Sequence, residues 1–245
     1  GGYGGSVKSA DGLTTPIEAS TNVIFTGGTV RNAYGGGLAG NVGTTDIDAT
    51  TNISLGVRDS ESDFYTTDPT VERSLYGGGE RGAVYGTANL TINNVHVGYT
   101  YDRTANTYNP NLDLKEEGDK LLEENGNAFG AGFGQGATVD RTSVKVWGGN
   151  IRNSLYGGGE IAAVGRGAMT ESGEANSTRV LESIQKAGKT HIEIFSGHVL
   201  RDIFGGGRGY SYDLSGNEII DKQFYTSGYV FGCTELFLRG GVVGT

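Results

Sequence analysis

An aromatic residue followed by a run of small residues, nearly all glycine, returns five times along this chain. The copies are Tyr34-Gly35-Gly36-Gly37, Tyr76-Gly77-Gly78-Gly79, Phe129-Gly130-Ala131-Gly132, Tyr156-Gly157-Gly158-Gly159 and Phe204-Gly205-Gly206-Gly207, and Tyr3-Gly4-Gly5 reads as one more. Two residues before each aromatic stands a small polar residue, Asn32, Ser74, Asn127, Ser154 or Asp202, and between them an apolar one, Ala33, Leu75, Ala128, Leu155 or Ile203. A unit this short cannot bury an apolar face by itself; it buries it only against its neighbours, which restricts the chain to stacked, repetitive architectures.

A second motif alternates with the first. It reads Thr21-Asn22-Val23-Ile24-Phe25, Thr51-Asn52-Ile53-Ser54-Leu55, Ala88-Asn89-Leu90-Thr91-Ile92, Thr142-Ser143-Val144-Lys145-Val146, Thr190-His191-Ile192-Glu193-Ile194 and Thr234-Glu235-Leu236-Phe237-Leu238. Period-two alternation marks a strand with one buried face. The threonines share that face with the aliphatics and so point inward, unlike the flat outward threonine array that ice binding requires. Paired glycines follow, Gly27-Gly28, Gly148-Gly149 and Gly240-Gly241, with Ser196-Gly197 as a variant, and then an apolar residue, Val30, Ile151 or Val199.

The cleanest unit spans the 27 residues from Gly130 to Gly157. At about 3.3 Å per extended residue its contour is near 90 Å, enough for several strands and turns of one wide coil. The expected fold is therefore all-β, a parallel β-helix or β-solenoid of about six coils with loop and short-helix insertions. Coils about 4.8 Å apart would stack to roughly 29 Å. Residues 1–245 read as one such unit, beginning and ending within a repeat. The columns Val23/Ile53/Leu90/Val144/Ile192/Leu236 and Tyr34/Tyr76/Phe129/Tyr156/Phe204 become continuous ladders. The glycine runs are expected to supply positive φ and close backbone approach at a corner.

Insertions break the period at 58–70, 99–126, 168–188 and 208–227. The first two are read as entering after the threonine strand and the other two after the aromatic-glycine corner. Residues 112–124 and 178–187 read as short helices, the second with Ser177 or Thr178 as N-cap and Gly188 beyond its end. Tyr99, Tyr101 and Tyr108 lie in a strand-like insert and are the candidate ligand-binding residues, since tyrosine rings on a loop can stack on sugars.

Other chemistry is thin. The formal charge of −9 with a sequence pI near 4.8 argues against nucleic acid, whose binding draws on Lys and Arg. No transmembrane run of about 18 apolar residues occurs. Asp59, Glu61 and Asp63 are a candidate calcium cluster of oxygen ligands, without the glycine and terminal Glu of a helix–loop–helix site; no other cofactor is indicated. His96, His191 and His198 read as isolated, without metal-ligand spacing. Cys233 reads as a packed small residue in a column of Ala and Gly. Glu116-Glu117 and Glu123-Glu124 read as solvated helix surface, not as the facing carboxylate pair of a glycosidase. No catalytic residue is assigned.

The repeated Tyr-Gly-Gly-Gly segments and the Thr-strand-Gly-Gly units resemble large glycine-rich β-helical, adhesin-like cell-surface proteins of gut Bacteroidetes. The resemblance covers most of the chain outside the four inserts. It implies export to the bacterial cell surface, a long repetitive stalk or fibre, and a structural or adhesive role; the tyrosine-bearing inserts are the expected contacts for glycans or host surface proteins. Two other readings stand beside it: a carbohydrate-active β-helix of the polysaccharide lyase or hydrolase kind, and a filament subunit that stacks end to end.

Overall fold

The structure, a computed structural model, describes residues 19–44, 47–57, 68–110, 125–165, 188–209 and 228–244. In each of the first five copies of the repeat the chain lays down a long strand, turns, adds a two-residue strand, turns again, and adds another at the aromatic corner. The first copy holds β1 (Ala19–Phe25), β2 (Thr29–Val30) and β3 (Ala33–Tyr34), and the second β4 (Ala49–Leu55), β5 (Thr70–Val71) and β6 (Leu75–Tyr76). The third holds β7 (Val84–Ile92), β8 (His96–Val97), an extra pair β9 (Tyr99–Asp102) and β10 (Thr107–Pro110), and then β11 (Ala128–Phe129). The fourth has β12 (Val139–Val146), β13 (Asn150–Ile151) and β14 (Leu155–Tyr156), and the fifth β15 (Gly188–Ile194), β16 (His198–Val199) and β17 (Ile203–Phe204). β18 (Gly232–Leu238) and β19 (Val242–Val243) belong to the sixth. The described elements are all strands; the two expected helices lie outside the described residues.

Equivalent strands pair in parallel, each with the copy before and after. Three sheets result: β1-β4-β7-β12-β15-β18, β2-β5-β8-β13-β16-β19 and β3-β6-β11-β14-β17. The register is the one expected from the repeat, with Val23, Ile53, Leu90, Val144, Ile192 and Leu236 side by side along one line. One cluster of buried residues draws from all three sheets, including Ile53, Leu90 and Ile192 from the first, Val71, Val97 and Ile151 from the second, and Leu75, Ala128 and Leu155 from the third. Each buried aliphatic contributes about 1.5–3 kcal/mol, largely offset by the entropy of ordering the chain.

The aromatic residues take the alternate position on the short third strands. Their rings stack in sequence, Tyr34 on Tyr76 at 4.8 Å, Tyr76 on Phe129 at 5.1 Å, Phe129 on Tyr156 at 4.8 Å and Tyr156 on Phe204 at 4.9 Å. That spacing is the interstrand distance itself. The polar residue two places earlier ties successive copies together: the Ser74 amide donates to Asn32 Oδ1 and the Ser154 amide to Asn127 Oδ1.

The threonines point inward, and in four copies the hydroxyl donates to the carbonyl of the first glycine of the same copy. Thr21 reaches the Gly35 carbonyl at 2.6 Å, Thr51 that of Gly77 at 2.8 Å, Thr142 that of Gly157 at 2.7 Å and Thr190 that of Gly205 at 2.6 Å. This bond clamps the long strand to the aromatic corner across the interior.

The glycine runs differ from expectation in one respect. Positive φ occurs at the second glycine of the paired-glycine turns, Gly28, Gly149, Gly197 and Gly241, and not at the aromatic corners. There the need is space alone: a Cβ on Gly77 would lie 2.2 Å from the Gly130 carbonyl oxygen, and one on Gly157 2.4 Å from that of Gly205.

Three further corrections follow from the register. Cys233 pairs with Lys189 on the outward face and is exposed; the Ala and Gly column lies one residue earlier, and a one-residue slip moves a side chain to the other face. The insert at 99–126 enters after β8 and not after the long strand, and the insert expected at 58–70 ends before Thr70, which begins β5. A second buried line, Val42, Val84, Val139 and Val164, joined by Val230, runs behind the corners and was not foreseen.

Candidate functional site

The only departure from parallel pairing between named strands is the antiparallel hairpin β9–β10, in which Tyr101 faces Tyr108 and Tyr99 faces Pro110. Its turn is built locally. Asp102 Oδ1 accepts from the amides of Thr104 at 2.8 Å and Ala105 at 3.1 Å, and Asn106 takes a left-handed φ of 51°. Asp and Asn are the residues that make such turns cheaply. The Tyr101 hydroxyl then donates to Asn106 Oδ1 at 2.6 Å, pinning the ring to the turn.

The hairpin folds back over the second sheet and lands on His96. Tyr108 stacks on the imidazole with centroids 3.7 Å apart and planes 17° apart, and Tyr99 meets it edge-on at 5.6 Å. Tyr101 leans on Tyr108 at 4.9 Å. The Tyr108 hydroxyl donates to the Asp68 carbonyl at 3.0 Å, and the Asp68 carboxylate stands 3.8 Å from His96 Nε2. Asn150, next in line on β13, has its amide nitrogen 3.2 Å from His96 Nδ1. The three tyrosines singled out from the sequence are thus brought into one cluster. His96, read as isolated, is its floor, a placement that a parallel column joined to a later hairpin hides from any spacing rule.

Burial sets the charge state of this cluster. It lowers the His96 pKa, against the opposing pull of Asp68, and raises those of Tyr99 and Tyr108. The surface is a set of aromatic rings with polar edges, a combination that can stack on the C–H face of a sugar while bonding its hydroxyls.

A second polar cluster lies over the aromatic ladder. After four of the five glycine runs the chain turns at a left-handed φ, on Ala39, Arg81, Gly134 and Ile161. Glu160 is buried there; it accepts the Tyr76 hydroxyl and has Arg208 at 3.6 Å. Tyr34 likewise bonds Glu80. Burial first, and then Glu80 and Glu160 for Tyr34 and Glu160 for Tyr76, push the two phenols well above their ordinary range. Two carboxylates therefore share a column directly after the glycine runs. Glu160, however, is committed to Tyr76 and Arg208 and closed off from any substrate by burial.

Asp59, Glu61 and Asp63 lie outside the described residues. Among the described residues, no three or more His, Cys, Asp or Glu side chains form a group that would hold a metal ion. No helix among them is long and apolar enough to cross a membrane. No family model matches this chain, nor does any curated protein or solved structure.

Proposed function

We propose that the chain is a segment of a parallel β-solenoid with a structural or adhesive role at a bacterial cell surface, and that the β9–β10 hairpin is its contact point for neutral glycans. The observation that carries the reading is the contrast between a ladder-built body and one aromatic element laid on its side. The body spends its side chains on stacking: aliphatics, threonines and aromatics each repeat at the strand spacing, which makes a stiff spacer whose length grows by one strand width per copy. The hairpin adds nothing to that ladder, yet it gathers three tyrosines over His96. Export and a surface location rest on the resemblance of the repeats to adhesin-like proteins of gut Bacteroidetes.

Retention on immobilised mucin, plant and bacterial polysaccharides tests this. Wild-type chain is expected to be held by at least one neutral glycan. Tyr101→Ala, at the outer end of the cluster, is expected to weaken that at least tenfold while leaving the unfolding midpoint unchanged. Binding that ignores the substitution would remove the hairpin from the proposal, and oligosaccharide released into solution would replace the adhesive reading with a catalytic one.

A further inference from the structure

Among the described residues one buried side-chain oxygen has no hydrogen-bond partner, Oγ1 of Thr70, a residue only 1 % exposed. Buried hydroxyls are ordinarily paired, because an unpaired one gives up its water and gains nothing in exchange. Thr70 and Val71 make up β5, and side chains alternate along a strand. Val71 joins the core, so Thr70 faces the other way, onto the outer side of the second sheet. It stands next to His96 in the parallel register, and His96 carries Tyr108 and Tyr99 on that same side. β9 lies against β5, and the Tyr108 hydroxyl is bonded to the carbonyl of Asp68, just before Thr70 in the chain. The orphaned hydroxyl is therefore under the hairpin.

A second gap lies beside it. The Asn150 amide donates to His96 Nδ1 at 3.2 Å, which leaves the proton of the neutral ring on Nε2. Nε2 stands 3.8 Å from Asp68 Oδ2, beyond hydrogen-bond reach. A hydroxyl placed between them would accept from Nε2–H and donate to the carboxylate, as bridging oxygens do across such distances. Thr70 Oγ1, His96 Nε2 and the Asp68 carboxylate thus form a short row of polar groups that are not bonded to one another. The cover over this row is lightly built. Among the described strands β9 and β10 pair only with each other, and a lone two-stranded hairpin is marginal in water. Its hold on the body runs through the Tyr108 ring on His96 and the Tyr108 hydroxyl on Asp68.

We infer that the hairpin is a clamp, and that it holds one sugar ring of a neutral glycan between itself and the second sheet. One ring hydroxyl bonds Thr70 Oγ1, and another bridges His96 Nε2 to Asp68. Tyr108 moves outward by roughly one ring thickness, so that the sugar lies between its ring and the imidazole. This clamp rests on the reading of the hairpin as a glycan contact. The row selects the ligand's chemistry. A wholly apolar ring would leave Thr70 as unpaired as the closed hairpin does, and an anionic ring would meet the Asp68 carboxylate. In the free protein the Thr70 hydroxyl works against closure; with the sugar in place the same hydroxyl favours it. That difference in contacts between the two states is what lets a ligand shift the equilibrium.

Thr70→Val keeps the shape of the side chain and removes the hydroxyl, and two effects of opposite sign are expected. Without glycan, protection factors of the amides over 99–110 should rise about tenfold, since the closed hairpin no longer buries an unpaired hydroxyl. Retention on the neutral polysaccharide that holds the wild type should weaken by about tenfold or more. Thr70→Ser, which restores the hydroxyl, should return both measurements toward wild type. A hydroxyl with a purely structural role would not move them in opposite directions. Equal retention of Thr70→Val and wild type would overturn the inference, and so would protection that is unchanged or lower in Thr70→Val. Tyr101→Ala separates the two readings. Binding weakened by Tyr101→Ala but not by Thr70→Val keeps the hairpin as a glycan contact and removes the clamp, whereas a wild-type chain that no neutral polysaccharide retains ends both.

Discussion

The fourth and sixth copies carry nearly the same pattern and meet opposite fates. Thr142-Ser143-Val144-Lys145-Val146 lies between two paired neighbours, with Val144 at 0 % and Val146 at 2 % exposure. Thr234-Glu235-Leu236-Phe237-Leu238 has a neighbour on one side and leaves both leucines open. The alternation decides which way a side chain points; only the next copy decides whether it is buried. In a stack of this kind hydrophobic stabilisation belongs to the interface between copies and not to the copy.

The largest effect should come from the glycines that let copies approach. Gly157→Ala puts a Cβ 2.4 Å from the Gly205 carbonyl oxygen, and the strands must separate to accept it; a loss of about 4 kcal/mol is expected in urea unfolding. Gly206→Ala at the open end should unfold like the wild type, and an equal loss there would erase the contrast between inner and outer copies.

Next come the aliphatic ladders. Ile192→Ala should cost about 2–5 kcal/mol and Leu236→Ala under about 1 kcal/mol by the same measurement, because only the first opens a cavity. The threonine clamp is smaller. Thr142→Val removes the donor to the Gly157 carbonyl while preserving shape, for a loss of about 1–2 kcal/mol. Thr234→Val, whose copy has no described aromatic corner, should change little.

The smallest effect is local and depends on pH. Burial lowers the His96 pKa, so the folded hairpin favours the neutral ring, and that contribution is present above the ordinary histidine pKa of about 6.5 and lost as pH falls through the lowered one. Facing the ring are the Asp68 carboxylate, Tyr99, Tyr108 and Asn150. Protection factors of the amides over 99–110, taken relative to the intrinsic exchange rate at each pH, should fall as pH drops from 7 to 5 while those of β12 hold.

Much of this arrangement was readable residue by residue. The six long strands, their inward threonines and the stacked aromatics follow from motifs that recur with constant internal spacing, and a constant spacing maps directly onto a line of neighbours. The valine line Val42, Val84, Val139 and Val164 escaped because the segment from corner to long strand varies in length. The signal was there, since a valine stands five residues after Gly37, Gly79 and Gly159, but seven after Gly132. Glu160 escaped for another reason: its partner Tyr76 is two copies away, and no local pattern links an acidic residue to a ring 84 residues distant.

What the sequence by itself determined is direction and order: which residues alternate inward, which glycines recur, and in what succession copies meet. Tertiary structure decided the rest. It chose close approach over positive φ as the purpose of the corner glycines, folded three tyrosines onto His96, and buried Glu160 beside Tyr76. The physical reason is that periodicity is a property of one strand, whereas steric exclusion, ring stacking and burial of a charge depend on atoms from different copies arriving at the same place.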